Sequence, residues 1–395
     1  MTGVVIASAA RTAIGSYGKS LKDVPATELG VTAAKAAIER AGLEPGQIEH
    51  VVFGNVIHSS TDDMYMSRVV SINAGIPQET PALTVNRLCG SGVQSIVTAA
   101  MHIQTGDVDV ALAGGAESMS QAPYWIPNAR WGAKMGPSPM VDPVVGGLTD
   151  PFRKIHMGVT AENLSVRDAI SREDQDAFAY RSHQKAAAAR EAGRFADQIA
   201  PVVIKTRKGE VVFDADEHIR PDISLEGLAK LKPAFKREDG TVTAGNASGL
   251  NDAGAAVTLL SEAKAAELGI APKAKILGYA VTGVDPNIMG IGPVTAIRKV
   301  LDRTGVALDD IAVIELNEAF AAQSLAVTRE LGLADDDARV NPNGGAIALG
   351  HPIGASGTAI TVKAISELHR TGSQYGLISL CIGGGQGIAL LIERA

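Results

Sequence analysis

The chain says nearly the same thing twice, and a repeat of this span dictates more about the fold than any single motif. Ala37-Ile38-Glu39-Arg40-Ala41-Gly42-Leu43, followed by Ile48-Glu49-His50-Val51-Val52, returns as Val300-Leu301-Asp302-Arg303-Thr304-Gly305-Val306 and Ile311-Ala312-Val313-Ile314-Glu315. Gly42 and Ile48 fall opposite Gly305 and Ile311 at one common offset. Cys89-Gly90-Ser91-Gly92 stands opposite His351-Pro352-Ile353-Gly354 at almost that offset, and Gly114-Gly115 opposite Gly383-Gly384 with a few residues of drift. Self-similarity at this scale predicts two homologous βα halves that differ by small insertions and deletions. Equivalent turns of the two halves then face each other across one cleft, with Cys89 and His351 on those turns.

The local patterns agree with layered α/β halves. Short apolar runs at Val4 to Ala7, Val51 to Phe53, Ala82 to Val85, Val108 to Ala113, Ile276 to Val281, Ile311 to Leu316, Leu377 to Ile382 and Ile388 to Ile392 read as strands. Between them lie amphipathic helices, one over Thr27 to Ala41 that stops at Gly42, another entered through Pro293 and stopped by Gly305. From about residue 119 to 249 the texture changes to Pro, Trp, Gly and charge, with one clear helix from Arg172 to Ala192 that is boxed by Ser171 and Asp174 and ended by Gly193. The expected division is 1–118 plus 250–270 as an N-terminal half, 119–249 as an inserted lid or substrate-binding subdomain, and 271–395 as a C-terminal half.

At 395 residues and 46% hydrophobic content the chain can bury a large core, and its 43 glycines imply many tight strand-to-helix corners. A net charge of -7 argues against nucleic acid or anionic membrane as partner. A phosphate-bearing ligand needs a local basic patch, and Lys205 to Arg237 is the richest segment, with eight Lys/Arg against six acids. Two cysteines cannot build a disulfide framework, which implies a reducing compartment. The opening MTGVVIASAART reads as a strand rather than a signal peptide, and no apolar run is long enough to span a bilayer. A cytoplasmic location is expected.

Cys89 lies in Asn86-Arg87-Leu88-Cys89-Gly90-Ser91-Gly92, after a strand and before the helical run Val93 to Ile103. A thiol at a helix N-terminus has its thiolate favoured by unpaired amides and the positive dipole end. A small buried core residue is the bland alternative. His351 sits between Gly350 and Pro352 on a Gly-rich turn leading to a helix, a setting that suits a base for Cys89 better than a core role. Cys381 ends an apolar strand and opens Cys381-Ile382-Gly383-Gly384-Gly385-Gln386-Gly387, which is no dinucleotide fingerprint because a strand follows. Two thiols and one imidazole in a cleft make a nucleophile, its base and a second acid/base, a set for acyl transfer followed by carbanion chemistry. Asn317-Glu318 follows a strand, where it either caps the next helix or anchors a water beside the substrate. The remaining histidines read as surface or packing residues, except His156, which is kept for the ligand.

Taken together, NRLCGSG, GNASGLND, NEAFA, GGAIALGHPIGASG and CIGGGQG stand in order over essentially the full chain, and this set closely resembles the thiolase family. The resemblance implies a five-layered αβαβα fold of two pseudo-symmetric halves, with an inserted loop domain that binds coenzyme A. It implies acetyl-CoA C-acetyltransferase or short-chain β-ketothiolase activity. Cys89 carries the acyl group, His351 deprotonates it, and Cys381 moves the α-proton of the second acyl-CoA. The amides of Cys89 and Gly383 form one oxyanion hole, and His351 with a water held by Asn317 serves the enolate. Coenzyme A contacts map to His156, Met157, Arg220, Phe235, Ser248, Ala319 and Phe320, with Met289 beside the acyl pocket. Acetyl-CoA, short 3-ketoacyl-CoA and CoA are then substrates, and no metal or redox cofactor is required. Arg130-Trp131-Gly132-Ala133-Lys134-Met135-Gly136 resembles a tetramerisation loop, so a homotetramer is expected.

Two departures concern Ala253, where a glycine is common, and Trp131, where a smaller residue is common. His156-Met157 and Met289 suit a short-chain biosynthetic enzyme, while Asp63-Met64-Tyr65-Met66 and Arg130-Trp131-Gly132 suit β-ketothiolases that also take propionyl-CoA. The competing readings are a β-ketoacyl synthase, which lacks a cysteine in the setting of Cys381, and a silent acyl-CoA-binding scaffold.

Overall fold

The computed structural model describes residues 2–395. Strands β1 (Val4–Arg11), β2 (Gly15–Ser16), β3 (His50–Gly54), β4 (Ala82–Val85) and β5 (Val110–Ser118) come first, then a separate ribbon of β6 (Val202–Thr206) and β7 (Gly209–Phe213). They are followed by β8 (Asn251–Ser261), β9 (Ala274–Gly283), β10 (Ile311–Leu316), β11 (Tyr375–Ile382) and β12 (Gln386–Arg394). The helices are α1 (Ala26–Arg40), α2 (Met66–Asn73), α3 (Ser91–Thr105), α4 (Pro143–Gly147), α5 (Met157–Arg167) and α6 (Arg172–Glu191). After them come α7 (Leu225–Ala229), α8 (Glu262–Glu267), α9 (Gly292–Thr304), α10 (Ala321–Glu330), α11 (Ala346–Leu349) and α12 (Ile353–Thr371).

The large sheet runs β10-β11-β12-β9-β1-β8-β5-β3-β4. Its centre is thin: β1 and β9 pair at Val5 opposite Lys275 and Ile6 opposite Ala274. On either side of that seam the wiring is the same. The N-terminal half reads β4-β3-β5-β8-β1, paired parallel, parallel, antiparallel, antiparallel. The C-terminal half reads β10-β11-β12-β9 with an isolated parallel bridge from Val340 to Ile314 in the place of β4, and its pairings follow the same sequence. The repeat in the sequence is therefore a repeat in topology. One proposed correspondence moves: Phe53 pairs with Gly114 and its counterpart Leu316 with Ser379, so Gly114 answers to Ser379 and not to Gly383. Glycine-rich strand ends are alike enough to slip a sequence match by several residues.

Strand alternation sends side chains to two different cores in each half. Val5, Ala7, Val51 and Phe53 pack under α1 and α2, with Ala33, Ala37, Ile38 and Val70. Val4, Ile6 and Val52 from one half, and Ile378, Leu380, Ile388 and Leu390 from the other, enclose α3 and α12 in a shared central layer. Leu377, Ala389 and Leu391 face outward beneath α9 and α10. The order is helix, sheet, helix pair, sheet, helix, which gives the five layers.

The two central helices approach closely where small residues allow it. A Cβ on Gly92 would lie 2.4 Å from the backbone nitrogen of Thr358, and one on Gly357 2.4 Å from that of Val93. This brings the N-terminal turns of α3 and α12, and so the residues just before them, to one place. Residues between β5 and β8 add no strand to the large sheet. They include α6, where Ser171 and Asp174 form the expected capping box and Gly193 takes a positive φ of 69°. Strand β8 was not foreseen as a strand, because Asn-Asp-Ala-Gly-Ala-Ala-Val-Thr-Leu-Leu-Ser is buried throughout and shows no alternation.

Candidate active site

Cys89 stands on a strained corner between β4 and α3. Leu88 before it has φ 47°, a left-handed conformation that costs a non-glycine residue roughly 1 kcal/mol or more. Local side chains hold the corner. The Leu88 amide donates to Asn86 Oδ1 at 2.9 Å, the Arg87 amide donates to Ser91 Oγ at 2.9 Å, and the Ser91 hydroxyl donates to the Leu88 carbonyl at 2.7 Å. The thiol then packs against a cluster of Ile57, Met119, Val144 and Ile353, with the Gly383 amide near enough to favour its thiolate. Ile353 is the first residue of α12, so the loop of His351 meets the loop of Cys89 here.

His351 is buried and oriented. Its amide donates to Asn251 Oδ1 at 2.9 Å, and a Cβ on Gly350 would collide with that same Asn251 side chain at 2.4 Å. Its Nδ1 lies 2.6 Å from Ser356 Oγ, and the Ser356 hydroxyl donates to the Pro352 carbonyl at 2.8 Å. A serine has one proton to give. With that proton on Pro352, Ser356 can only accept from the imidazole, which places the hydrogen on Nδ1. Nε2, buried and without a protein partner, is left with its lone pair. Such a tautomer is what a base for the thiol requires.

Cys381, at the end of β11, belongs to an apolar cluster with Met157, Met289, Ala319, Phe320 and Ala322, against which Phe235 packs. His156 caps α5, accepting from the Gly158 amide at 3.1 Å, and its ring stacks on Phe235 with centroids 4.7 Å apart. Phe235 meets Phe320 edge-on at 6.0 Å, and the Ser248 amide donates to the Ala319 carbonyl at 3.0 Å. Gly158 has a reason to be glycine: a Cβ would sit 2.2 Å from the Phe235 ring. Seven of the expected ligand contacts thus form one continuous wall ending at Cys381.

Burial sets the resting protonation state, and it corrects the expectation of a thiolate favoured by the helix end. Desolvation pushes the Cys89 thiol up to about 11, with the Gly383 amide pulling the other way and Glu117 adding to the rise. Desolvation also raises Cys381, and the nearby Cys89 charge raises it further. It lowers His351 to about 4. Near neutral pH the site holds two thiols and a neutral imidazole, so the proton must leave Cys89 as substrate binds.

Three buried residues that the sequence reading passed over hold this arrangement. Ser356 and Asn251 fix His351. Glu117 accepts from the amides of Val56, Ile57 and Gly354 and from Asn55 Nδ2, tying the loop after β3 to the first turn of α12. Burial raises its carboxyl to about 8. In Asn317-Glu318 the two residues divide. Glu318 accepts from Ser182 Oγ at 2.7 Å, Asn341 Nδ2 at 2.7 Å and the Ile347 amide at 3.1 Å, and so braces the loop leading to His351. Asn317 is 1% exposed, yet neither carboxamide atom has a protein partner.

Residues 4–263 match the model of the thiolase N-terminal domain and residues 270–394 that of the thiolase C-terminal domain. The chain belongs to the thiolase family. Beta-ketothiolase BktB of Cupriavidus necator is 56% identical over 391 residues, 99% of each chain. The acetyl-CoA acetyltransferase of Syntrophomonas wolfei is 52% identical over 99% of this chain and 98% of its own. Among solved structures, human mitochondrial 3-ketoacyl-CoA thiolase superposes with a TM-score of 0.97 at 50% identity, covering 100% of this chain and 99% of that one. A structure of that human thiolase in complex with CoA superposes at 0.96.

One residue expected at the ligand in this thiolase chain stands apart from the aromatic wall. Arg220 is exposed, its amide donates to His183 Nδ1 at 3.2 Å, and it lines a cavity of about 430 Å³ with Tyr17, Lys19, His218 and Leu250. Leu250 also packs on the cluster that holds Cys89, so this cavity borders the site from outside. The basic segment itself is dispersed rather than a single patch. Lys205 lies on β6 and Arg207 and Lys208 at the turn into β7, while Lys230 pairs with Glu226 at 2.6 Å.

Proposed function

We propose that the chain catalyses the reversible Claisen condensation of two acetyl-CoA to acetoacetyl-CoA and CoA, and the thiolysis of short 3-ketoacyl-CoA. The observation that carries this is two cysteines brought to one site, half-buried Cys89 packed on the first turn of the helix that follows His351 with its free Nε2, and buried Cys381 at the end of an apolar wall. His351 Nε2 takes the Cys89 proton as sulfur attacks the thioester carbonyl. The amides of Cys89 and Gly383 receive the oxyanion, and the leaving CoA thiolate takes the proton back. With the acyl group on Cys89, Cys381 gives its proton to His351 and, as thiolate, removes the α-proton of the second acetyl-CoA. The resulting enolate, held by the protonated His351 and an Asn317-bound water, attacks the acyl-Cys89 carbonyl, and Cys89 leaves as thiolate and recovers its proton from His351. Protein groups carry every proton and electron pair in this scheme, which therefore asks for no resident metal or redox group.

His156, Met157, Arg220, Phe235, Ser248, Ala319 and Phe320 are the proposed CoA contacts. The exposed Tyr124, Trp125, Trp131, Met135 and Met140 support a homotetramer built through this loop. No helix among the described residues is long and apolar enough to cross a membrane, and this fits the proposed cytoplasmic role. The experiment is to follow acetoacetyl-CoA absorbance on adding free CoA with no malonyl thioester present. Loss of absorbance supports a thiolase. A requirement for malonyl thioester indicates a β-ketoacyl synthase, and CoA binding without turnover indicates a silent scaffold.

A further inference from the structure

Asn317 poses a problem that the site itself does not solve. A buried carboxamide with two unpartnered ends forfeits hydrogen bonds worth about 1–3 kcal/mol per group, and it can turn either end toward the substrate. Only the Nδ2 end can donate. Something behind the residue must choose.

Behind Asn317 is a small internal cavity of about 20 Å³, lined among others by Asn317, Gly345, Ser356, Ala359 and Lys363. That is room for one water molecule. Lys363, on α12, is itself buried, with 3% of its side chain exposed. Its ammonium donates to Glu315 Oε2 at 2.8 Å and to the Gly344 carbonyl at 2.6 Å. An ammonium has three N–H donors and no acceptor, so one remains. Ser356 has already committed its proton to Pro352.

We propose that Lys363 is a positioning residue for Asn317, acting through one water in this cavity. The polarity follows from the donor inventory. Lys363 donates to the water oxygen, the water donates to Asn317 Oδ1, and Nδ2 is left facing the substrate as a donor. This rests on the reading of Asn317 as the anchor of the enolate's water. It assigns the buried Glu315–Lys363 pair a place in carbon-carbon bond formation rather than in acylation.

The test separates positioning from stability. Replacing a buried ion pair with apolar residues of similar volume is often neutral or stabilising, so Glu315→Leu/Lys363→Met should keep a near wild-type melting temperature. It should form acyl-Cys89 from labelled acetyl-CoA at the wild-type rate while condensation kcat falls about ten- to hundredfold, the scale of a misplaced group. Ala359→Val, which fills the cavity and leaves the ion pair in place, should show the same split and covers the case of a poorly folding double variant. Condensation within about twofold of wild type in either folded variant would overturn the proposal. Asn317→Ala is the control. If it condenses normally, the role given to Asn317 fails; if it stalls while the other two do not, Lys363 alone is dismissed.

Discussion

Replacing Ser356 by alanine tests whether the histidine tautomer governs acylation. Among the described residues the 2.6 Å contact to His351 Nδ1 is the only side-chain hydrogen bond the imidazole makes, and the hydroxyl behind it is fixed by Pro352. Without it the Nδ1 hydrogen is a buried, unmet donor, at a cost of about 1–3 kcal/mol. The ring can then shift its proton to Nε2 or turn away, and either change removes the lone pair that accepts the thiol proton. At about 1.4 kcal/mol per factor of ten, acylation should slow by about ten- to hundredfold. The assay is rapid-quench labelling of the enzyme with acetyl-CoA. The wild-type and variant proteins should reach the same amplitude at different rates. Ser356→Thr, which keeps the hydroxyl, should recover most of the rate. Acylation of Ser356→Ala at the wild-type rate would refute the tautomer argument.

Three further outcomes follow from the same geometry. Cys89→Ala should lose both thiolysis and condensation while retaining CoA binding, because the thiol is essential to both half-reactions and offers little contact area; covalent labelling of the variant by acetyl-CoA contradicts this. Met289 is buried beside Cys381, and its flexible thioether can repack around one more methylene. Thiolysis of 3-ketovaleryl-CoA should therefore lie within about tenfold of acetoacetyl-CoA in kcat/KM, and undetectable turnover rejects the assignment. The buried histidines should weaken the fold in acid, against the opposite pull of Glu117, whose carboxyl burial raises to about 8. Burial lowers His183, His218 and His351 to about 4, and in the unfolded chain each titrates near 6.5. Between these values the unfolded chain binds more protons at each histidine, so that contribution to stability falls as pH drops, by about 2 kcal/mol for the fully buried His351 at pH 5. Urea midpoints at pH 7 and pH 5 for the protein and for His351→Gln measure it; the variant should lose less stability on acidification, and equal changes in the two contradict it.

The features legible in the sequence are those written into local chemistry. Gly42 and Gly305 end equivalent helices and Ile48 and Ile311 lead into equivalent strands, so the duplication could be read directly. Cys89, His351 and Cys381 were conspicuous because each stands at a Gly-rich end of an element. Residues that act through distant partners left no such trace. Asn251 reaches His351 across 100 positions and Glu117 reaches Gly354 across 237. No periodicity encodes those contacts. The thiolate expectation failed for a related reason: a helix N-terminus is visible in sequence, but the apolar residues that close over Cys89 come from four separate segments. Asn317 and Glu318, adjacent in the chain, diverge because one faces a cavity and the other a cage of donors.

The division of labour between the two thiols is the core of the mechanism, and Cys381→Ala tests it most directly. Acylation of Cys89 uses the thiol, His351 Nε2 and the oxyanion amides, all intact in this variant. Removing α-carbon proton transfer should cost about a hundred- to ten-thousandfold in condensation. Rapid-quench with labelled acetyl-CoA should give a near-full burst of protein-bound label and almost no acetoacetyl-CoA. Failure of the variant to acylate would place Cys381 in the first half-reaction and contradict the account.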